Sequence, residues 1–237
     1  MAVTPSVLMI PALAAEPGLI HGFSTTGFGS VGLTHAPDPA PVLASRRAFA
    51  RALGVDGDSL TVAGAVHGAT VARVDEAWEV IQGVDGLVTD RAGIGLFATF
   101  ADCYPIVLWD GRRKVAALAH AGWRGTLAGV AAAAVGVMRD QYGCAPGDVV
   151  AGIGPGICGS CYEVGEDVAS KFEAEVVRSG VGDRFLLDLA AANRLRLERA
   201  GVKEVHVLGL CTKETSFLPS HRREPDGTRF GGIVAVR

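Results

Sequence analysis

The 237-residue sequence lacks any run of the roughly 18 apolar residues that a membrane-spanning helix needs. It also lacks an excess of positive charge: its formal net charge of −3 excludes a general attraction to nucleic acid or to anionic membranes. Residues 1–19 have no basic start before their apolar stretch, and three prolines interrupt them, which makes a poor signal peptide. We therefore expect a cytoplasmic protein that binds neither nucleic acid nor membrane.

Cysteines are few and odd in number, at five, and a reducing cytoplasm favours free thiols. Cys158 and Cys161 form a CxxC pair, but the sequence has neither a second CxxC nor a thioredoxin-like context. We expect two free thiols near a turn. The glycines at 154 and 156 lack the spacing of a nucleotide-binding loop.

The chain is rich in apolar residues and glycine, with 49% hydrophobic residues and 32 glycines. Neither internal repeats nor low-complexity linkers occur, and the length of 237 residues suits one large domain or two small ones. Asp110-Gly111 joins two apolar runs and predicts a β-hairpin. Hairpins mixed with strand–helix units predict an α/β fold of the α+β type, in which mixed β-sheets are layered with helices.

The periodicity of apolar residues predicts helices at 41–53, 126–142, 164–179 and 189–200. It predicts strands at 60–66, 70–74, 86–89, 96–100, 105–109, 115–119, 149–153, 202–210 and 230–236.

Three residues at the predicted strand ends indicate chemistry: His67, Cys103 and His120. A thiolate with two imidazoles is a natural ligand set for zinc, and three protein ligands leave one position for water or substrate. The alternative is a buried, inert cysteine with two structural histidines. The separations of 36 and 17 residues match no compact zinc-finger spacing.

Short motifs surround these residues: HGFST at 21–25, VHG at 66–68, DGLVT at 85–89, ADCYPIVLWD at 101–110, AHAGWRGT at 119–126, IGPGICGSCYEVG at 153–165, and an end containing Cys211, Ser220 and Arg222. Together they resemble the YfiH family. That family has been called the multicopper polyphenol oxidase or laccase-like family and is now viewed as purine nucleoside phosphorylases.

The resemblance implies a single domain over residues 1–237, built of mixed β-sheets layered with helices, with zinc on His67, Cys103 and His120. It also implies phosphorolysis of adenosine, inosine, guanosine and S-methyl-5'-thioadenosine, with adenosine deamination. Purine nucleosides and phosphate are then the expected partners, and we expect a monomer. Thr26 and Ala65 stand where the family usually has arginine and glutamine.

A zinc ion held this way lowers the pKa of bound water toward about 7, which makes hydroxide available to attack the purine. Deamination also needs a group near the leaving amine that transfers a proton to it. Asp102 and Glu163 are the candidate catalytic carboxylates. Alternatively, Asp102 hydrogen-bonds loop amides and Glu163 caps a helix that starts near residue 164.

Phosphorolysis needs a phosphate ligand, and Arg124 is the first choice because it follows His120 by four residues and is expected just before a helix N-terminus. Its alternative role is an ion pair with a local carboxylate. Arg46 and Arg222 are weaker candidates, and Trp123 either stacks on a purine or packs in the core.

Two other function classes remain open. A copper-dependent polyphenol oxidase with a multicopper cluster needs many more histidines than the six in this chain. A cysteine hydrolase acting on a peptidoglycan precursor would use Cys103 as nucleophile and His120 as base. The remaining histidines are expected to be structural or on the surface: His21, His35, His206 and His221.

Overall fold

The computed structural model describes residues 5–34 and 36–237. Residues 1–4 of the N-terminal segment, and His35, lie outside the described residues. The helices are α1 (Pro11–Ala14), α2 (Pro39–Ala52), α3 (Trp123–Ala128), α4 (Val130–Tyr142), α5 (Glu166–Ala169) and α6 (Leu189–Arg199). Short 3-10 helices lie at Thr26–Phe28, Gly57–Ser59, Pro146–Asp148 and Ala174–Val176.

The strands are β1 (Val7–Leu8), β2 (Leu19–Ser24), β3 (Leu60–Gly64), β4 (Val71–Arg73), β5 (Val80–Gln82), β6 (Gly86–Thr89), β7 (Gly95–Phe100), β8 (Tyr104–Asp110), β9 (Val115–Ala121), β10 (Val150–Ile153), β11 (Glu163–Val164), β12 (Val177–Ser179), β13 (Phe185–Leu187), β14 (Glu204–Val207) and β15 (Phe230–Val236).

Within residues 5–34 and 36–237 these strands form two six-stranded mixed sheets and a small antiparallel sheet. The first sheet has the order β1-β2-β15-β7-β3-β5, the second β14-β10-β8-β9-β6-β4, and the third β11-β13-β12. β3 runs parallel to β5 and β7, while β8 and β9 form the antiparallel hairpin predicted at Asp110-Gly111. The predicted mixed sheets layered with helices are confirmed.

The two large sheets pack face to face, and the alternation of side chains along β9 shows how. Ala116 and Leu118 enter the core between the sheets, whereas Ala117 and Ala119 face the helices α4 and α6. On the other side, Phe49 of α2 packs against the outer surface of the first sheet. The layers are therefore α2, the first sheet, the second sheet, and α4 with α6.

Glycines in the left-handed conformation end α2 and α4 close to the predicted helix ends, and another glycine divides one predicted helix in two. Gly54 follows α2 with φ of 71°, and Gly143 ends α4 with φ of 68°. The helix predicted at 126–142 is instead two helices, because Gly129 adopts φ of 84° between α3 and α4. In the described part of the chain, no helix is both long and apolar enough to cross a bilayer.

The helix predicted at 164–179 is wrong. Only Glu166–Ala169 is α-helical there, a short 3-10 helix follows at Ala174–Val176, and the flanking strands β11 and β12 both pair with β13. Val164 and Val176 are both buried in the same core cluster as Leu187 of β13. Pairing with a distant strand outweighs the local helical period.

Candidate metal centre

Strand direction brings the predicted ligands together. β8 runs antiparallel to β9, so Cys103, immediately before β8, meets His120 near the end of β9. β6 is also antiparallel to β9, so Asp85, immediately before β6, reaches the same place. His67 comes from the loop between β3 and β4. His120 lies on the same face of β9 as Ala116 and Leu118, between the two large sheets, and its ring lies 5.4 Å from that of Phe100.

The metal-ligating atoms of His67, Cys103 and His120 lie within 4.8 Å of one another. Ligand atoms around a tetrahedral zinc ion are about 3.3–3.8 Å apart, so small side-chain shifts would complete the geometry. A Cβ atom at position 122 would lie 2.8 Å from the Cys103 sulfur and 3.1 Å from the His67 ring, so the trio requires Gly122. The residues fit a zinc ion both in donor type and in the space kept around them.

Asp85 organises the trio from behind. Its side chain is fully buried, and its carboxylate accepts hydrogen bonds from the backbone N–H groups of Val66 (3.2 Å), His67 (2.8 Å) and Gly68 (2.7 Å). It also lies 3.2 Å from Nδ1 of His120. An ionised Asp85 makes that nitrogen the donor and leaves Nε2 of His120 free to bind a metal. One carboxylate therefore holds the His67 loop and orients a second ligand.

Cys103 and His120 form a coupled pair when no metal is bound. Burial acts to raise the pKa of Cys103, but the charge of His120 and hydrogen bonds from His120 and His67 outweigh it and lower the pKa to about 6. Burial acts to lower the pKa of His120, but Cys103 and Asp85 outweigh it and raise the pKa to about 9. Near neutral pH the pair is a thiolate and an imidazolium.

A cavity of about 110 Å³ opens beside the trio, lined by His67, Asp102, Cys103, Gly122, Trp123, Arg124, Ile157, Tyr162 and Leu189. Two of the predicted substrate-binding residues thus lie at this cavity. The guanidinium carbon of Arg124 is 4.3 Å from the centre of the Trp123 ring, and Arg124 is exposed. Arg124 belongs to the first turn of α3, rather than preceding the helix as predicted.

The two candidate carboxylates lie in different surroundings. Asp102 lines the cavity, and its carboxylate accepts hydrogen bonds from the hydroxyl of Thr212 (2.6 Å) and the backbone N–H of Arg222 (2.7 Å). Glu163 is exposed on β11 and is not among the residues lining the cavity. It does not cap a helix, because α5 begins later and is capped by Gly165. Arg222 is also not among the lining residues, but its guanidinium lies 5.3 Å from the ring of Tyr162, which does line the cavity.

Arg46 lies away from the trio. It is only 8% exposed, lines a separate cavity of about 310 Å³, and donates from Nε to the carbonyl of Val31 at 2.7 Å. Burial lowers its pKa to about 10. The structure therefore does not bring Arg46 to the candidate centre, nor does it place Arg46 on the solvated face of α2.

Asp85 and Tyr162 are site residues that the sequence analysis did not single out. Both occur inside quoted motifs, DGLVT and IGPGICGSCYEVG. The signal in the sequence for Asp85 is an acidic residue immediately before a short, mostly apolar strand, a position where burial demands hydrogen-bond donors. His21, the histidine of the HGFST motif, has a structural role, because its Nε2 accepts a hydrogen bond from the N–H of Ile10 at 2.9 Å.

Comparison with known proteins identifies one matching family model, described as multi-copper polyphenol oxidoreductase laccase, over residues 20–237. A purine nucleoside phosphorylase of Deinococcus radiodurans is 42% identical over 97% of this chain and 92% of that protein. Adenosine deaminase RL5, from an unknown prokaryotic organism, is 37% identical over 83% of this chain and 82% of that protein.

A solved structure has the same fold. The hypothetical protein YfiH of Bacillus licheniformis is 28% identical, with a TM-score of 0.91 over 100% of this chain and 98% of that one. The predicted resemblance to the YfiH family is confirmed.

Asp85→Asn tests the role of the buried carboxylate. The amide side chain lacks the charge that holds the 66–68 amides and His120, so we expect zinc affinity to fall about 10–100-fold in competition with a chromophoric chelator. Asp110→Asn is the matched control, since Asp110 is 1% exposed and accepts backbone N–H bonds at the far end of β8. Equal losses in both variants would contradict a specific role for Asp85.

Zinc binding should release protons in a pH-dependent way. Between the raised pKa of His120 at about 9 and the lowered pKa of Cys103 at about 6, binding must displace the His120 proton only, so about one proton is released. Below pH 6 the thiol is also protonated, and release from this pair should rise toward about two. Calorimetry in buffers of different ionisation enthalpy measures this number. A release that stays constant from pH 5 to 10 would rule out the coupled pair.

Proposed function

Because this chain belongs to the multi-copper polyphenol oxidoreductase laccase family, we propose its activity from the names of its relatives and the chemistry of the trio. The protein is a zinc-dependent purine nucleoside phosphorylase, with adenosine deaminase activity at the same centre. The observation that carries the proposal is the convergence of His67, Cys103 and His120 beside a cavity that also exposes Arg124 and Trp123.

The trio would hold the zinc ion. Bound there, zinc supplies Lewis acidity and lowers the pKa of a coordinated water toward about 7. Cys103 contributes a thiolate that is formed near neutral pH even without metal, and Asp85 keeps His120 in the tautomer that a metal ligand needs.

The purine nucleoside would enter the cavity with its base against the aromatic side chains. Trp123 and Tyr162 offer ring surfaces there. The cavity of about 110 Å³ is below the ~300–1,000 Å³ of most small-molecule pockets, so part of the nucleoside would extend over the rim. Arg222, whose guanidinium lies 5.3 Å from the Tyr162 ring, would contact that part of the nucleoside.

Phosphate would bind Arg124, whose exposed guanidinium faces the cavity on the Trp123 side. Asp102 is the better placed carboxylate for proton transfer, because it lines the cavity and Glu163 does not. Its two hydrogen bonds fix the carboxylate in place and leave lone pairs for a substrate amine.

A cysteine hydrolase is the second candidate, and one observation favours it. Cys103 contacts His120, and His120 contacts Asp85, which is the order of nucleophile, base and orienting carboxylate. A hydrolase of this kind needs no second imidazole, whereas His67 also approaches the sulfur. A chelator separates the two candidates: it would abolish a zinc-dependent activity, but leave the thiolate nucleophile of a hydrolase free to react.

Product analysis of adenosine tests the proposal. With zinc-loaded protein and phosphate we expect adenine and ribose-1-phosphate, and inosine with or without phosphate, measured by liquid chromatography and mass spectrometry. His67→Ala and His120→Ala should lose most of both activities along with the metal. His206→Ala is the control, since this half-buried histidine pairs with Glu204 on β14. Unchanged adenosine, inosine and methylthioadenosine with zinc-loaded protein would refute the proposal.

Arg124→Ala separates the two reactions. Only phosphorolysis uses the phosphate contact, so we expect the KM for phosphate to rise about tenfold or more while deamination changes little. Arg112→Ala is the matched control, because Arg112 is an exposed arginine at the opposite end of β8. Equal losses in phosphorolysis and deamination would indicate that Arg124 supports the structure of the cavity instead.

A further inference from the structure

A second cluster of potential metal ligands lies outside the trio, where two loops meet. Cys158 and Cys161 come from the loop after β10, and Cys211 and Glu214 from the segment after β14. Their ligand atoms all lie within 4.8 Å of one another. The CxxC pair has no second CxxC in the sequence, but the fold places two further potential ligands beside it, 50 and 53 residues after Cys161.

We propose a second metal site, structural in kind and suited to zinc, formed by Cys158, Cys161, Cys211 and Glu214. Three thiolates and a carboxylate are ligands that zinc accepts, and four protein ligands close its coordination sphere. A tetrahedral zinc with bonds of about 2.3 Å to sulfur keeps its ligands about 3.8 Å apart. An oxygen ligand and a sulfur ligand would be about 3.5 Å apart. The sulfur of Cys161 lies 3.4 Å from Oε1 of Glu214, and that of Cys158 lies 3.8 Å from Oε2, both close to this spacing.

Each loop presents its two ligands from a tight turn of the same length. Cys158-Gly-Ser-Cys161 and Cys211-Thr-Lys-Glu214 both separate the ligands by two residues, as in the paired turns of structural zinc sites. The first turn is closed by a hydrogen bond from the N–H of Cys161 to the carbonyl of Cys158. The second is closed by one from Thr215 to Cys211.

Backbone hydrogen bonds fix the two turns against each other. Gly156 donates to the carbonyl of Leu210 at 3.2 Å and accepts from the N–H of Thr212 at 3.0 Å. The N–H of Cys158 points at the sulfur of Cys211 at 3.3 Å, a contact that stabilises a thiolate. The four ligands are therefore presented by a preformed backbone.

Arg223 holds the second turn and brings positive charge beside the cluster. Its guanidinium donates to the carbonyl oxygens of Thr212 (2.7 Å), Lys213 (3.1 Å), Thr215 (3.2 Å) and Leu218 (2.7 Å). Three thiolates and a carboxylate around a divalent cation carry a net charge of about −2, which this arginine partly offsets.

The cluster adjoins the wall of the cavity. Thr212, next to Cys211, donates to the carboxylate of Asp102, and Ile157, next to Cys158, donates to the Asp102 carbonyl at 2.9 Å. A metal ion joining the two turns would thus rigidify the residue that precedes Cys103. The second site does not depend on the proposed function, since its role is to fix these loops.

Metal analysis of the full chain, purified in reductant, tests the proposal. We expect about two zinc ions per chain in the wild type and about one in Glu214→Gln and in Cys161→Ser. Cys103→Ala should lose the other ion, and Cys103→Ala with Glu214→Gln should hold none. Cys144→Ala is the control, because Cys144 is a buried cysteine outside both clusters and should keep both ions. Circular dichroism checks that the exposed Glu214→Gln variant is folded.

Cobalt supplies a second readout at the cluster alone. Cobalt-loaded Cys103→Ala should show charge-transfer bands of a tetrahedral thiolate site, and Cys158 and Cys161 should resist alkylation until chelator is added. One zinc per wild-type chain, lost entirely in Cys103→Ala, would overturn the proposal. So would alkylation of Cys158 and Cys161 at the same rate with and without chelator, or a disulfide between them without a second metal.

Discussion

The buried charge of Asp85 is the constraint on which the candidate centre depends. A carboxylate with no solvent contact must be compensated by hydrogen-bond donors, and here the donors are three consecutive amides at 66–68 and the ring of His120. Because these donors belong to His67, its two neighbours and His120, satisfying Asp85 and positioning two of the three proposed ligands are the same structural requirement. His67 tolerates a left-handed φ of 62° within this loop because Asp85 binds the amides on both sides of it.

Sheet topology brings this constraint together with Cys103. β6 and β8 both run antiparallel to β9, so residues that precede the two outer strands meet the end of the central one. Successive side chains of a strand point to opposite faces of the sheet, and this alternation turns His120 and Cys103 toward the space between the two large sheets. A shift of one residue in either register would move a ligand to the face covered by α4.

Local patterns predicted the trio and most strands, because the ligands sit next to turn-forming residues at the ends of apolar runs. Contacts between distant segments could not be predicted in this way. Residues 164–179 have a helical period, yet β11 and β12 pair with β13. The CxxC at 158–161 has no second CxxC as a partner in the sequence. Its neighbours in the fold, Cys211 and Glu214, have the same spacing, but the second of them is a glutamate and not a cysteine. Arg46 carries the charge of a substrate ligand, but burial against Phe97 commits it to the core.

Anomalous diffraction at the zinc absorption edge, from crystals of the zinc-loaded protein, locates the metal relative to Asp85 and the trio. We predict a peak bonded at about 2.0–2.1 Å to an imidazole nitrogen of His67 and of His120, and at about 2.3 Å to the sulfur of Cys103. The Asp85 carboxylate should remain on Nδ1 of His120, outside the coordination sphere. Zinc-loaded crystals with no peak at the trio, or with Asp85 bound directly to the metal, would contradict the account.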